Sequence, residues 1–240
     1  MTNGDYIGIH NYVPLAIEEQ GFYFAAIIIG VERGWISREE GKKRIIITLK
    51  TLRNLKRING FWYHFIDPDT GKRGWKDSHN IELSNASAGT MLLGALAAAE
   101  YFGGEIEKLT YELYEAMNWK WFTDPVTKHP YLACYPEDLP KSVPYGINEA
   151  GMFGGWSAYS EHIFLYILAA GAPREEFSTG ADSYYAMKTY KGSYKGETFI
   201  FCGTGAAFTY QWTHAFIDFR NLRDKIGRTT KRGKFKSESV

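Results

Sequence analysis

The clearest pattern of hydrophobic and polar positions lies between residues 154 and 171. Gly154 and Gly155 open the stretch, Gly171 and Pro173 close it, and the run between them has helical length. At helical spacing Glu161 shares a face with Ser157, Phe164, Leu165 and Leu168, while Trp156, Tyr159, Ile163, Tyr166 and Ala170 fill another. Beyond Glu161 the segment is apolar on every side, which predicts a helix buried all round. A lone carboxylate at the mouth of such a helix is desolvated, and desolvation favours the protonated form that a general acid needs. The same pattern also suits a structural Glu paired with an Arg or capping a loop.

The same periodicity predicts five further helices. Pro14 stands where a helix can begin, and Leu15 to Val31 is strongly apolar up to the breaks at Gly30 and Gly34. Ser37 with Glu40 forms a capping box for a second helix, with Ile45, Ile46, Leu49 and Leu52 inward. Ser84 or Asn85 caps a third, whose small apolar body runs from Met91 to Ala99 and stops at Gly103-Gly104. Glu105 to Trp121 is amphipathic, and a last helix is predicted over Ala206 to Asp224. Between the second and third helices, Gly60 to Ile66 is an aromatic, strand-like run before a turn at Asp67 to Gly71, with Trp75 on the return. That run suits either an exposed substrate platform or a plug over the core. Residues 123–153 form a long connection, Tyr190 to Lys195 a solvent-facing hairpin, and residues 1–12 and 226–240 irregular or frayed ends, the latter basic from Arg228 to Lys236.

Composition adds a class to this outline. The chain has 240 residues, 45% hydrophobic and 23% charged, enough for a sizeable core in a globular protein. A formal charge of +1 gives no electrostatic case for nucleic acid or an anionic membrane. Cys134 and Cys202 suit buried thiols as well as a disulfide. Met1 is followed by Thr-Asn-Gly-Asp, without the basic and apolar regions of a signal peptide, so the chain as written reads as cytoplasmic. The aromatic share is 16%, including 17 tyrosines, and Tyr and Trp suit sugar rings as well as plain packing.

Candidate chemistry follows from the polar residues left over. On the last helix Gln211, His214, Asp218 and Asn221 form one stripe, beside the apolar Phe208, Trp212, Ala215, Phe216 and Phe219. Glu161 and Asp218, from separate helices, are the minimum pair for a glycosidase. Glu82 is a third acidic candidate, Glu149 a weaker one, and His64 suits the orientation of a substrate hydroxyl. Gly203-Thr204-Gly205 lacks the third glycine and the βαβ setting of a dinucleotide loop, and the chain has neither a Walker loop nor metal-ligand spacing, so no cofactor is expected.

Taken in order, Gly21-Phe22, Ile29 to Glu40, Gly60 to Phe65 with Thr70-Gly71, Glu82-Leu83-Ser84, Trp156 to Glu161 with Tyr166 to Gly171, and His214 to Arg220 resemble the glycoamylase-like family. That family includes bacterial endo-β-1,2-glucanases and a domain of cyclic β-1,2-glucan synthases, and the resemblance spans roughly residues 15 to 225. It implies an all-α fold of the (α/α)6 toroid type over residues 1–240, incomplete because the predicted helices are about half of those in a closed ring. It further implies a β-glucan substrate, β-1,2-glucan first, with Glu161 as general acid and Asp218 and Arg220 arranging the cleft. Trp156, Tyr159, Trp62 and Tyr63 would stack on sugar rings, and His64, Glu82 and His214 would contact substrate. Relatives carry an aspartate where this chain has Ser87, and they are often exported. Two other classes stand beside the hydrolase: a carbohydrate-binding module without turnover, and a subunit whose open flank is covered by a second chain or a second copy.

Overall fold

The computed structural model describes residues 13–74, 81–137, 146–220 and 222–225. Trp75, Asn221, the first twelve residues and the basic tail lie outside the described residues. The helices are α1 (Glu19–Glu32), α2 (Arg38–Asn54), α3 (Asn85–Phe102), α4 (Glu105–Glu115), α5 (Ile163–Ala170) and the short α6 (Asp182–Ala186). Ser37 caps α2 by accepting from the Glu40 amide at 3.1 Å, and Ser84 caps α3 by accepting from the Ser87 amide at 3.1 Å, as their spacing predicts. No described helix is long and apolar enough to cross a membrane.

The core forms around α3, which is buried along most of its length. Its small residues allow α1 to cross at backbone contact. A Cβ on Gly21 would lie 2.1 Å from the Thr90 carbonyl oxygen, and one on Gly94 would lie 2.1 Å from that of Gly21. Only hydrogen fits at either position. Phe24, Ile45, Leu49, Met91, Leu92, Leu113 and Phe164 fill the space between α1, α2, α3, α4 and α5.

Short strands run across the ends of these helices. β1 (Leu15–Ala16) pairs antiparallel with β2 (Phe65–Ile66), and β3 (Ala133–Cys134) with β4 (Met152–Phe153). Single bridges from Tyr63 to Leu83 and from Leu83 to Cys134 join the two pairs into one ladder. α1 therefore starts at Glu19 rather than Leu15, because the first apolar residues are taken into this ladder. Gly60 to Tyr63 forms a plug and not a platform: Phe61, Trp62 and Tyr63 are all buried.

Two helix predictions are corrected. The segment predicted as helix from Trp156 is extended as far as Tyr159, where the Trp156 amide donates to the Pro130 carbonyl and Ser157 to Tyr159 pair with Lys188. Helix begins only at Ile163, so Glu161 stands at its entrance, and the predicted face shared with Ser157 does not form. The predicted helix over Ala206 to Asp224 is two single 3-10 turns, Ala207–Tyr210 and Thr213–Ala215. The sequence there is rich in aromatic and β-branched residues of modest helix propensity, and its threonines bond elsewhere. Thr204 meets Thr209 at 3.0 Å, and the Thr213 hydroxyl donates to the Glu161 carbonyl at 2.6 Å. The polar stripe of Gln211, His214 and Asp218 dissolves with the helix. α4 also stops short, at Glu115 instead of Trp121. A hairpin forms but is longer than predicted: β5 (Tyr190–Tyr194) is one strand, paired with β6 (Glu197–Phe201), which takes in the apolar run that follows.

Candidate active site

The ladder assembles the polar cluster. Because Leu15–Ala16 pairs with Phe65–Ile66, the next amide, Ile17, donates to the His64 carbonyl at 3.1 Å, and Glu18 arrives beside the His64 side chain. The His64 amide in turn donates to the Glu82 carbonyl at 2.9 Å. The imidazole then lies between two carboxylates, with Nδ1 2.8 Å from Glu82 Oε1 and Nε2 3.8 Å from Glu18 Oε2, and its ring stacks on Phe65. From α3, the Ser87 hydroxyl donates to Glu18 Oε2 at 3.1 Å. The three charged side chains remain 23–33% exposed, so the cluster opens to solvent.

Their electrostatics follow from this sandwich. Burial alone would lower the basicity of His64, but the hydrogen bonds and charges of Glu18 and Glu82 outweigh it and raise the imidazole to about 9. His64 is therefore an imidazolium at neutral pH. The nearby His64 imidazolium holds Glu18 below the usual carboxylate range against the opposing effect of burial. Both ring nitrogens are turned to carboxylates, so His64 buckles the two acids together and does not itself orient a substrate hydroxyl. Among the described residues no group of His, Cys, Asp or Glu is arranged to hold a metal ion.

Glu161 and His162 form the other wall. Glu161 Oε1 lies 3.5 Å from His162 Nδ1 without hydrogen-bond alignment, and Glu161 Oε2 is buried with no partner among the described residues. The Trp156 indole lies on the His162 ring at a centroid distance of 3.8 Å, and its Nε1 is also unpartnered. Burial drives His162 down to about 4, with the charge of Glu18 acting weakly the other way, so this imidazole is neutral at pH 7. The two walls are stitched by Trp212. Its indole donates to Thr90 Oγ1 on α3 at 3.3 Å and meets Phe22 of α1 edge-on at 4.9 Å, one turn beyond Glu18. The adjacent Thr213 holds the Glu161 backbone.

Several predicted site residues stand elsewhere. Trp62 is fully buried and donates from its indole to the Leu52 carbonyl at 3.0 Å, and Tyr63 is buried beneath Arg73, so neither presents a ring face to a sugar. Tyr159 is buried against Tyr210 and belongs to a separate small core with Ile163, Tyr166 and Met187. Asp218 is 57% exposed, and Arg220 occupies both of its oxygens at 2.7 Å, which holds its carboxyl at about 2. His214 is half-buried against Phe219, and Glu149 is exposed. The walls thus unite Glu161, Trp156, His64 and Glu82 from the predicted set with Glu18, His162 and Ser87. Glu18 was hidden by its neighbour Glu19, since two acids at the start of a helix look like ordinary first-turn charge. The strand-like Leu-Ala-Ile just before them was the available signal.

Comparison with known proteins gives this arrangement a context. A family model described as "Putative glucoamylase" matches residues 154–235, the third of the chain that contains Glu161. Over 88% of its length the chain is 27% identical to an exo β-1,2-glucooligosaccharide sophorohydrolase (non-reducing end) of Parabacteroides distasonis, of which it covers 32%. Among solved structures it resembles an endo-β-1,2-glucanase from Chitinophaga pinensis, with a TM-score of 0.63, 23% identity, and coverage of 78% of this chain and 44% of that one. It also resembles a "putative glucoamylase" of Bacteroides fragilis, with a TM-score of 0.69, 22% identity, and coverage of 90% and 52%. The fold is all-α, of the α/α toroid type, and the described part makes an incomplete ring. The chain spans a third to a half of the length of these relatives.

Proposed function

We propose that this chain carries the catalytic cleft of a glycoside hydrolase acting on a β-glucan, β-1,2-glucan first, with Glu161 as general acid. One observation supports it above the rest. A largely buried carboxylate has an oxygen with no partner among the described residues, at a helix entrance beside Trp156 and His162, in the segment that the glucoamylase-type model matches. Such an oxygen is free to hand its proton to a glycosidic oxygen, which leaves as a hydroxyl. Trp156, half-buried beside the site, offers ring surface for a sugar, and Glu82 offers an oxygen not used by His64. His214, Asp218 and Arg220 follow Trp212 and Thr213, the residues that tie this segment to α3 and to the Glu161 backbone. The β-glucan preference draws on the β-1,2-glucan relatives. The test is product release from linear β-1,2-glucan by the purified chain and by E161Q, with circular dichroism to confirm folding.

A second reading places a second chain or a second copy over the α1–α2 hairpin before the cleft is competent. Ile29, Trp35 and Ile47 favour it, since each is more than half exposed there. It predicts association that grows with concentration in sedimentation velocity, and a strictly monomeric chain would contradict it.

A further inference from the structure

The geometry points to Glu18 as the second carboxylate of the cleft, the base that takes a proton from the attacking water while Glu161 protonates the leaving oxygen. This assignment rests on the glycoside hydrolase reading above. A hydrolase of this type needs two carboxylates on opposite sides of the scissile bond. Asp218 is ill suited to be the second, since both of its oxygens are held by Arg220 in an exposed turn.

Glu18 has the position and the state required. It enters at the junction of β1 and α1, while Glu161 enters from a separate segment, at the start of α5. The two meet at one mouth because Trp212 touches Phe22 and Thr90, one turn along α1 from Glu18 and one turn along α3 from Ser87, while Thr213 fixes Glu161. His162 stands beside Glu161 and within reach of the Glu18 charge. Ser87 donates to Oε2 of Glu18, and the His64 imidazolium lies 3.8 Å from the same oxygen. Among the described residues no hydrogen bond engages Oε1, which leaves it to receive a water, and the side chain is a third exposed. The contact with imidazolium His64 keeps Glu18 ionised, the state that a base requires.

In the step itself the water oxygen forms a bond to the anomeric carbon as Glu18 accepts one of its protons. The bond from that carbon to the glycosidic oxygen breaks, and its electron pair stays on the oxygen, which takes the proton of Glu161. One water is consumed per bond cleaved, and a single displacement inverts the anomeric centre. Solvent then resets both carboxyl groups.

The experiment follows linear β-1,2-glucan hydrolysis by proton NMR for the wild-type chain, E18Q and E18A. Wild type is expected to release an α-configured reducing end from the β-linkage. E18Q should bind oligosaccharide as wild type does, with kcat at least about a hundredfold lower and KM little changed. Azide should restore turnover to E18A by attacking the anomeric carbon in place of activated water, giving a glycosyl azide. Retained configuration in the wild-type product overturns the assignment without recourse to any variant, as does E18Q turnover close to wild type, and either leaves the hydrolase reading standing. A folded wild type silent on every glucan overturns the reading and the assignment together.

Discussion

At the scale of single residues the account turns on two histidines in opposite states. His64, raised to about 9 by two carboxylates, gains a proton on folding, so its contribution to stability is complete below its ordinary value of 6.5 and is lost as pH rises through 9. His162, driven to about 4 by burial, loses a proton on folding; it weakens the fold progressively as pH falls from 6.5 toward 4 and has no such effect above. The two slopes meet near neutrality. Urea midpoints measured from pH 4 to 10 should therefore peak between about 6 and 7.5, with the alkaline limb flattened in E82Q, where His64 loses its closest partner. Imidazole NMR titration reads the same clamp directly. His64 should titrate near 9 in wild type and well below that in E82Q, and an ordinary value in wild type would show that the clamp does not form.

At the scale of elements, the glycine crossing of α1 and α3 places Glu18 and Ser87 side by side. Gly94→Ala drives a methyl into the Gly21 carbonyl, where backbone and not a flexible side chain must move, and should cost about 3 kcal/mol or more in urea denaturation. Gly203→Ala, with nothing within 4 Å of its added carbon, should stay within about 0.5 kcal/mol of wild type. The helices built on caps and periodicity were legible in the sequence, because Ser37 and Ser84 carry local signals that act where they are written. The segments around Trp156 and Thr213 were not. Their apolar residues sit at helical spacing, but their backbones are held by Pro130, Lys188 and the Glu161 carbonyl, and no local pattern announces partners that distant. For the same reason Trp62 and Tyr159, read as sugar platforms for their aromatic character, prove to be core. Glu82 and His64 were legible as candidates. Their union with Glu18 was not, since it depends on a two-residue strand pairing.

At the scale of the molecule, a ladder of short strands lies across the helix ends and delivers Glu18, His64 and Glu82 to one mouth, while the segment after Gly155 delivers Trp156, Glu161 and His162 to the other side. The fold is shared with solved structures of a β-1,2-glucanase and a glucoamylase-type protein. The central claim is that this cleft cleaves a β-glucan with Glu161 as its acid. The most direct measurement is oligosaccharide release from linear β-1,2-glucan, with laminarin and starch in parallel, by folded wild type and folded E161Q. The account predicts products from β-1,2-glucan with wild type and at least about a hundredfold less with E161Q. Equal release by the two proteins, or silence of the folded wild type on all three polymers, would contradict it.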